Sequence, residues 1–126
     1  MPLDGDMQPR QQAPHRIIIL DDDLGFVLWL AHVFAANGYS AFPATSVPEA
    51  LKLIQELQGE SVDLVIANLR LTGVSELLDR LRTRHVSLKV IAFEDRKLGI
   101  ATSDIEAREA AWLKEIRTRL EIFPSV

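Results

Sequence analysis

Three consecutive carboxylates, Asp21-Asp22-Asp23, directly follow the apolar run Ile17-Ile18-Ile19-Leu20. Carboxylates grouped at the end of a buried segment can offer oxygen ligands to a hard cation. In the same place they can cap a following helix and interact with its dipole; Asp23 fits that helix-start role better than a ligand role. A second apolar run, Val62 to Ala67, ends at Asn68, and a third, Val86 to Phe93, ends at Glu94-Asp95. A neutral amide is a poor nucleophile and brings one uncharged oxygen. Arg70 follows Asn68 closely enough to reach the same patch and pair with Asp22 or Glu94, although a solvated loop residue is an equal expectation.

Other chemistries find little support. His15, His32 and His85 are scattered and show no zinc-ligand spacing, and there is no cysteine to supply a thiolate, a disulfide or a zinc–thiolate site. Ser46, Ser61, Ser75 and Ser87 have no nucleophile-elbow context. The six glycines are dispersed and form neither a dinucleotide fingerprint nor a Walker sequence.

The elements that would position the acidic patch can be read from periodicity. Arg16 to Leu20 suits a strand buried on both faces, as in a parallel sheet. Leu24 to Asn37 reads as a helix stopped by Asn37-Gly38, and Tyr39 to Ala44 as a second strand. Ser46 and Glu49 stand in capping-box register before Val47, Ala50, Leu51, Ile54 and Leu57 at helical spacing. Val62 to Ala67 is a third strand, Val74, Leu77, Leu78 and Leu81 a helical stripe, and Val86 to Phe93 a fourth strand. Ile105 to Ile122 is mostly helical, with Trp112, Leu113, Ile116 and Leu120 on its apolar stripe. Alternating strands and helices imply βαβ crossovers and a doubly wound parallel sheet. In such sheets the site lies outside the carboxyl ends of the strands. That rule brings Asp21 to Asp23, Asn68 and Glu94-Asp95 to one patch.

A length of 126 residues suits one domain, with 48% hydrophobic and 25% charged residues as in ordinary globular chains. A net charge of -4 gives no basic field for nucleic acid or an anionic membrane. No run approaches the roughly 18 apolar residues of a membrane span. Residues 1–14 read as a disordered leader without the apolar core of a secretory signal, and 15–126 as the folded domain. A cytoplasmic location and no membrane contact are the expectation.

Several of these segments, in order, resemble the response-regulator receiver family of two-component signalling. Arg16-Ile-Ile-Ile-Leu-Asp-Asp-Asp is similar to its first strand and acidic pair, Asn37-Gly38-Tyr39 and Ala44 to Leu51 to the passage that follows. Asp63-Leu-Val-Ile-Ala-Asn68-Leu-Arg-Leu-Thr-Gly73 resembles the segment around the phosphoacceptor. The match covers Arg16 to Phe93 well and the remainder poorly. It implies a flavodoxin-like, receiver-type α/β fold, degenerate in its carboxy-terminal third.

The family's chemistry needs an aspartate nucleophile, a magnesium ion between carboxylates, and a hydroxyl and a lysine that bind the phosphoryl product. By the resemblance Asp21 and Asp22 are the acidic pair and a weak magnesium site. Asn68 stands at the phosphoacceptor position, Glu94 at the switch hydroxyl and Thr72 where a proline is usual. Ordinary aspartyl phosphorylation is therefore excluded. Lys114, in Ala111-Trp112-Leu113-Lys114, is the lysine equivalent if that stretch is a strand, but helical spacing favours a continuous helix. In that case Arg96 to Asp104 must replace a helix and a strand. Arg70 could hold the pocket permanently in place of a metal.

The helix from Leu24 is apolar nearly all round, which calls for a partner on its outer face, within the chain or outside it. A homodimer anchored by Phe26 and Trp29 is the favoured expectation. Together these features point to a pseudo-receiver: a non-enzymatic module that acts by protein–protein contact with a histidine kinase or a downstream regulator. The expectation is no resident cofactor beyond a weak magnesium site, and output through a bound partner unless the chain is part of a longer protein. The alternatives are a flavodoxin-like enzyme or small-ligand domain using the same strand ends, and a scaffold built on the apolar helix. The first would need a phosphate-cradling loop where the three aspartates stand, which is electrostatically unfavourable.

Overall fold

Arg16–Leu20 folds as a strand, β1, because Ile17, Ile18, Ile19 and Leu20 are all fully buried and need cover on both sides. The structure is a computed structural model and describes residues 14–57, 62–84, 88–100 and 104–120. The expected leader therefore lies, but for Pro14, outside the described residues. Around β1 stand β2 (Ser40–Ala44) and β3 (Leu64–Asn68), and β4 (Lys89–Phe93) lies beyond β3. The order is β2-β1-β3-β4, with every pairing parallel. Pro43 is accommodated because β2 is an edge strand among the described residues.

Strand alternation divides the core in two. Ile17, Ile19, Leu64, Ile66, Ile91 and Phe93 face α1 (Leu24–Ala36) and α4 (Ile105–Leu120). Ile18, Leu20, Val65 and Ala67 face α2 (Val47–Glu56) and α3 (Val74–Arg84). This is the doubly wound, flavodoxin-like arrangement expected. The stripe Val74, Leu77, Leu78 and Leu81 is the buried face of α3.

The local signals act as their chemistry suggests. Asp23 Oδ1 accepts the Phe26 N–H at 3.0 Å and starts α1, which stops at Asn37 before Gly38 at φ 92°. Ser46 Oγ accepts the Glu49 N–H at 3.3 Å. Glu49 reaches back, but to the Thr45 N–H at 2.6 Å, one residue before the cap.

Two placements bear on the expected site residues. Lys114 is an exposed residue in the interior of α4, not at a strand end, because Trp112, Ile116 and Leu120 form one buried helical stripe. Phe26 and Trp29 are half-buried, packed on the core beneath α4. Phe26 meets Phe93 at 5.8 Å and Trp112 at 5.9 Å between ring centroids, and Phe93 meets Trp112 edge-on at 5.3 Å. The outer face of α1 is thus partly covered by its own chain. The large apolar side chains it leaves exposed are Leu24 and Leu28, at 59% and 51%.

Candidate functional site

Parallel register fixes where the strand ends meet. Leu20 is level with Ala67 and Ala44, and Asn68 with Phe93, so Asp21, Asn68 and Glu94 emerge at one edge of the sheet. Asp21 continues the ladder, its N–H bonded to the Ala44 carbonyl at 3.1 Å. Its side chain is 0% exposed and Asn68 is 3% exposed, the two buried polar side chains of the described core.

A buried carboxylate requires partners, and Asp21 accepts four hydrogen bonds from three residues. Oδ1 accepts from Arg96 Nη2 at 2.7 Å and from the Asp23 N–H at 3.1 Å. Oδ2 accepts from Arg96 Nε at 2.8 Å and from Asn68 Nδ2 at 3.3 Å. A carboxylate has about four lone-pair directions, so its accepting capacity is filled. Arg96 and Asp21 form the two-pronged pair that a planar guanidinium favours. Arg96 Nη2 also reaches Asp22 at 3.3 Å, and Nη1 lies 4.0 Å from Asp23.

Charge follows geometry. Burial pushes the Asp21 carboxyl up, but the Arg96 hydrogen bonds, the Asp23 N–H, the Asn68 amide and the Arg96 charge outweigh it, leaving it below the usual carboxylate value. The same hydrogen bonds to Asp21 raise Arg96 above its ordinary value.

Arg96 is delivered by a tight turn after β4. Asp95 accepts the N–H groups of Lys97 at 2.9 Å and Gly99 at 2.8 Å, which lowers its own pKa. Leu98 and Gly99 take positive φ values of 53° and 79°. Behind the guanidinium lies a cleft of about 300 Å³ between α1 and α4, lined by Asp23, Phe26, Trp29, Ile105 and Arg108 among others.

The expected site residues fare differently. Asp21, Asp22 and Asn68 are brought together as expected. Asn68 Oδ1 accepts the Arg70 backbone N–H at 2.9 Å, and this N–H is what Arg70 gives the pocket; its side chain is exposed. The guanidinium in the pocket is that of Arg96, not Arg70. Glu94 is exposed, just beyond the last residue of β4. Lys114 is exposed on α4. Sequence reading missed Arg96 because its partner Asp21 lies 75 residues away. The available hint was an arginine in the loop directly after a strand that ends at the acidic patch.

The residues as arranged do not fit a magnesium ion. Magnesium demands near-octahedral oxygen ligands, yet both Asp21 oxygens are occupied by donors and Asn68 presents its amide nitrogen to Asp21. Among the described residues no cluster of three acidic, histidine or cysteine side chains could hold a metal. No helix among them is long and apolar enough to cross a membrane.

Comparison of the whole fold with solved structures is decisive for architecture. A receiver domain protein from Methanospirillum hungatei JF-1 superposes with a TM-score of 0.63 over 86% of this chain and 94% of its own, at 18% identity. The receiver domain of an HD domain-containing protein from Pseudomonas fluorescens Pf-5 gives 0.63 over 87% and 89%, at 19% identity. The fold is that of a response-regulator receiver domain. In sequence, this receiver-type chain is 31% identical over 102 residues to transcriptional activator protein ExaE of Pseudomonas putida, covering 79% of this chain and 47% of that protein. It is 31% identical over 78 residues to sporulation initiation phosphotransferase F of Bacillus subtilis, covering 60% of each. The chain thus spans between 47% and 60% of these relatives' lengths. No protein-family model matches it.

Proposed function

We propose that this receiver-type domain is a pseudo-receiver of two-component or phosphorelay signalling that works without aspartyl phosphorylation at the usual position. The observation that carries the reading is Asn68, at the end of a central strand beside Asp21, with both ends of its amide engaged. A carboxamide in that place cannot form an acyl phosphate under conditions in which a carboxylate does. The names of the two curated relatives, an activator and a phosphotransferase, support a signalling role for the fold.

Signal transfer then runs through protein–protein contact with a kinase-like or regulatory partner, without enzymatic turnover, and the composition fits an aqueous, cytoplasmic setting. A homodimer through α1 would use the exposed Leu24 and Leu28 together with the half-buried Phe26 and Trp29.

Incubation with acetyl phosphate and magnesium, followed by intact mass, tests the reading. The natural chain is expected to remain unmodified. A stoichiometric phosphoryl adduct on it that hydroxylamine removes, as it does an acyl phosphate, would overturn the proposal.

A further inference from the structure

We infer that Arg96 is a built-in cation that occupies the place of a divalent metal and ties the pocket to the aromatic seam between α1 and α4. The first half follows from the acceptor count at Asp21. Two Arg96 nitrogens, one backbone N–H and one amide nitrogen take all of its lone pairs, and Arg96 spans to Asp22 as a bridging metal would. A guanidinium does not lose its proton in proteins, so a rise in pH does not empty the site.

The second half follows from what else Arg96 touches. Its backbone carbonyl accepts the Trp112 indole Nε1–H at 2.9 Å. Its guanidinium carbon lies 5.9 Å from the centre of the Phe26 ring, and Phe26 packs on both Phe93 and Trp112. One residue therefore joins the acidic pocket, the start of α1 and the middle of α4. The turn that carries it is held by Asp95, so Arg96 is placed before any ligand arrives.

The inference shares Asn68 with the reading above but does not depend on a signalling role. It has a definite consequence: restoring a carboxylate at position 68 does not by itself restore a metal site. In Asn68→Asp the new charge adds a partner for Arg96 rather than a vacancy for magnesium.

The test is magnesium titration by calorimetry and by NMR of the Trp112 indole N–H. The natural chain, Asn68→Asp and Asn68→Asp/Arg96→Ala are compared, with circular dichroism to verify folding. The natural chain and Asn68→Asp are expected to be silent at millimolar magnesium. The double variant is expected to bind at least about tenfold more tightly than Asn68→Asp, a coupling usual for contacting residues, and to shift the Trp112 resonance. Equal magnesium affinity in Asn68→Asp and the double variant would overturn the inference. So would magnesium binding without displacement of Trp112.

Should the double variant fail to fold, the Arg96 Nε–H resonance of the natural chain decides. It stays protected and unmoved by magnesium if Arg96 fills the site, and is lost or displaced if it does not. Phosphorylation of the natural chain would sink the pseudo-receiver reading while leaving these metal results to stand or fall separately.

Discussion

From Arg16 to Phe93 the chain is a regular alternation in which neighbouring elements pair or pack, whereas from Asp95 onward it is placed by contacts reaching far back. The first region buries β3 completely and β1 from Ile17 to Leu20, and uses α2 and α3 as covers on one face. In the second, a turn leads into α4, which lies on α1 and seals Phe93 and Phe26 with Trp112. The difference shows that the two regions of this fold are held by contacts of different range. One long helix with a single tryptophan closes the face, and one arginine closes the site.

If the two regions form one cooperative unit, a change in either should destabilise both. Trp112→Ala is expected to cost about 4 kcal/mol, as large-to-small changes of buried aromatics do. Ile66→Ala should cost a similar amount within a shared unfolding transition. Denaturant unfolding followed by far-ultraviolet dichroism and by Trp29 fluorescence would test this. Two separate transitions would break the comparison by showing that α4 unfolds alone.

Arg96→Ala should cost about 3 kcal/mol, because it leaves the Asp21 carboxylate buried without its counter-charge. That figure sits at the low end for a buried pair since the Arg96 side chain is 40% exposed. Arg96→Lys should recover part of the loss but not all, since an ammonium cannot reproduce the two-pronged geometry. Full recovery would mean that charge alone, and not the fork, holds the two regions together.

The same pair sets a pH dependence. Asp21 lies below its ordinary value in the folded chain, so its contribution is fully present above the unfolded carboxylate value of about 3.9. It is lost as pH falls through the lower folded value. The gap in melting temperature between the natural chain and Arg96→Ala should therefore be widest near neutrality and narrow below about pH 4. A gap that is flat with pH would show that the loss comes from packing on Phe26 rather than from charge.

The smallest expected effect sharpens the first region. Ser46→Ala removes the cap of α2 and should cost about 1 kcal/mol without touching Arg96 or Trp112. A larger loss, or a shift of the Trp112 resonance, would reveal a coupling across the sheet that the contacts do not suggest.

Much of this was written locally. The apolar runs ending at Asp21 and Asn68, the cap at Ser46, the Asn37-Gly38 stop and the stripe from Val74 to Leu81 determined the doubly wound sheet and which strand ends form the patch. Each depends on neighbours within a turn or on strand alternation, and such patterns survive without a tertiary context. Tertiary structure alone decided what fills that patch. Arg70 is nearer to Asn68 in sequence, yet its side chain is exposed while Arg96 arrives from a turn 75 residues beyond Asp21. Tertiary structure also decided that Phe26 packs against Trp112, with Trp29 beside it at the cleft, since only the docking of α4 supplies Trp112. A charge pair and an aromatic contact carry no periodicity, and so the order of residues offers at most the hint of an arginine directly after a strand end.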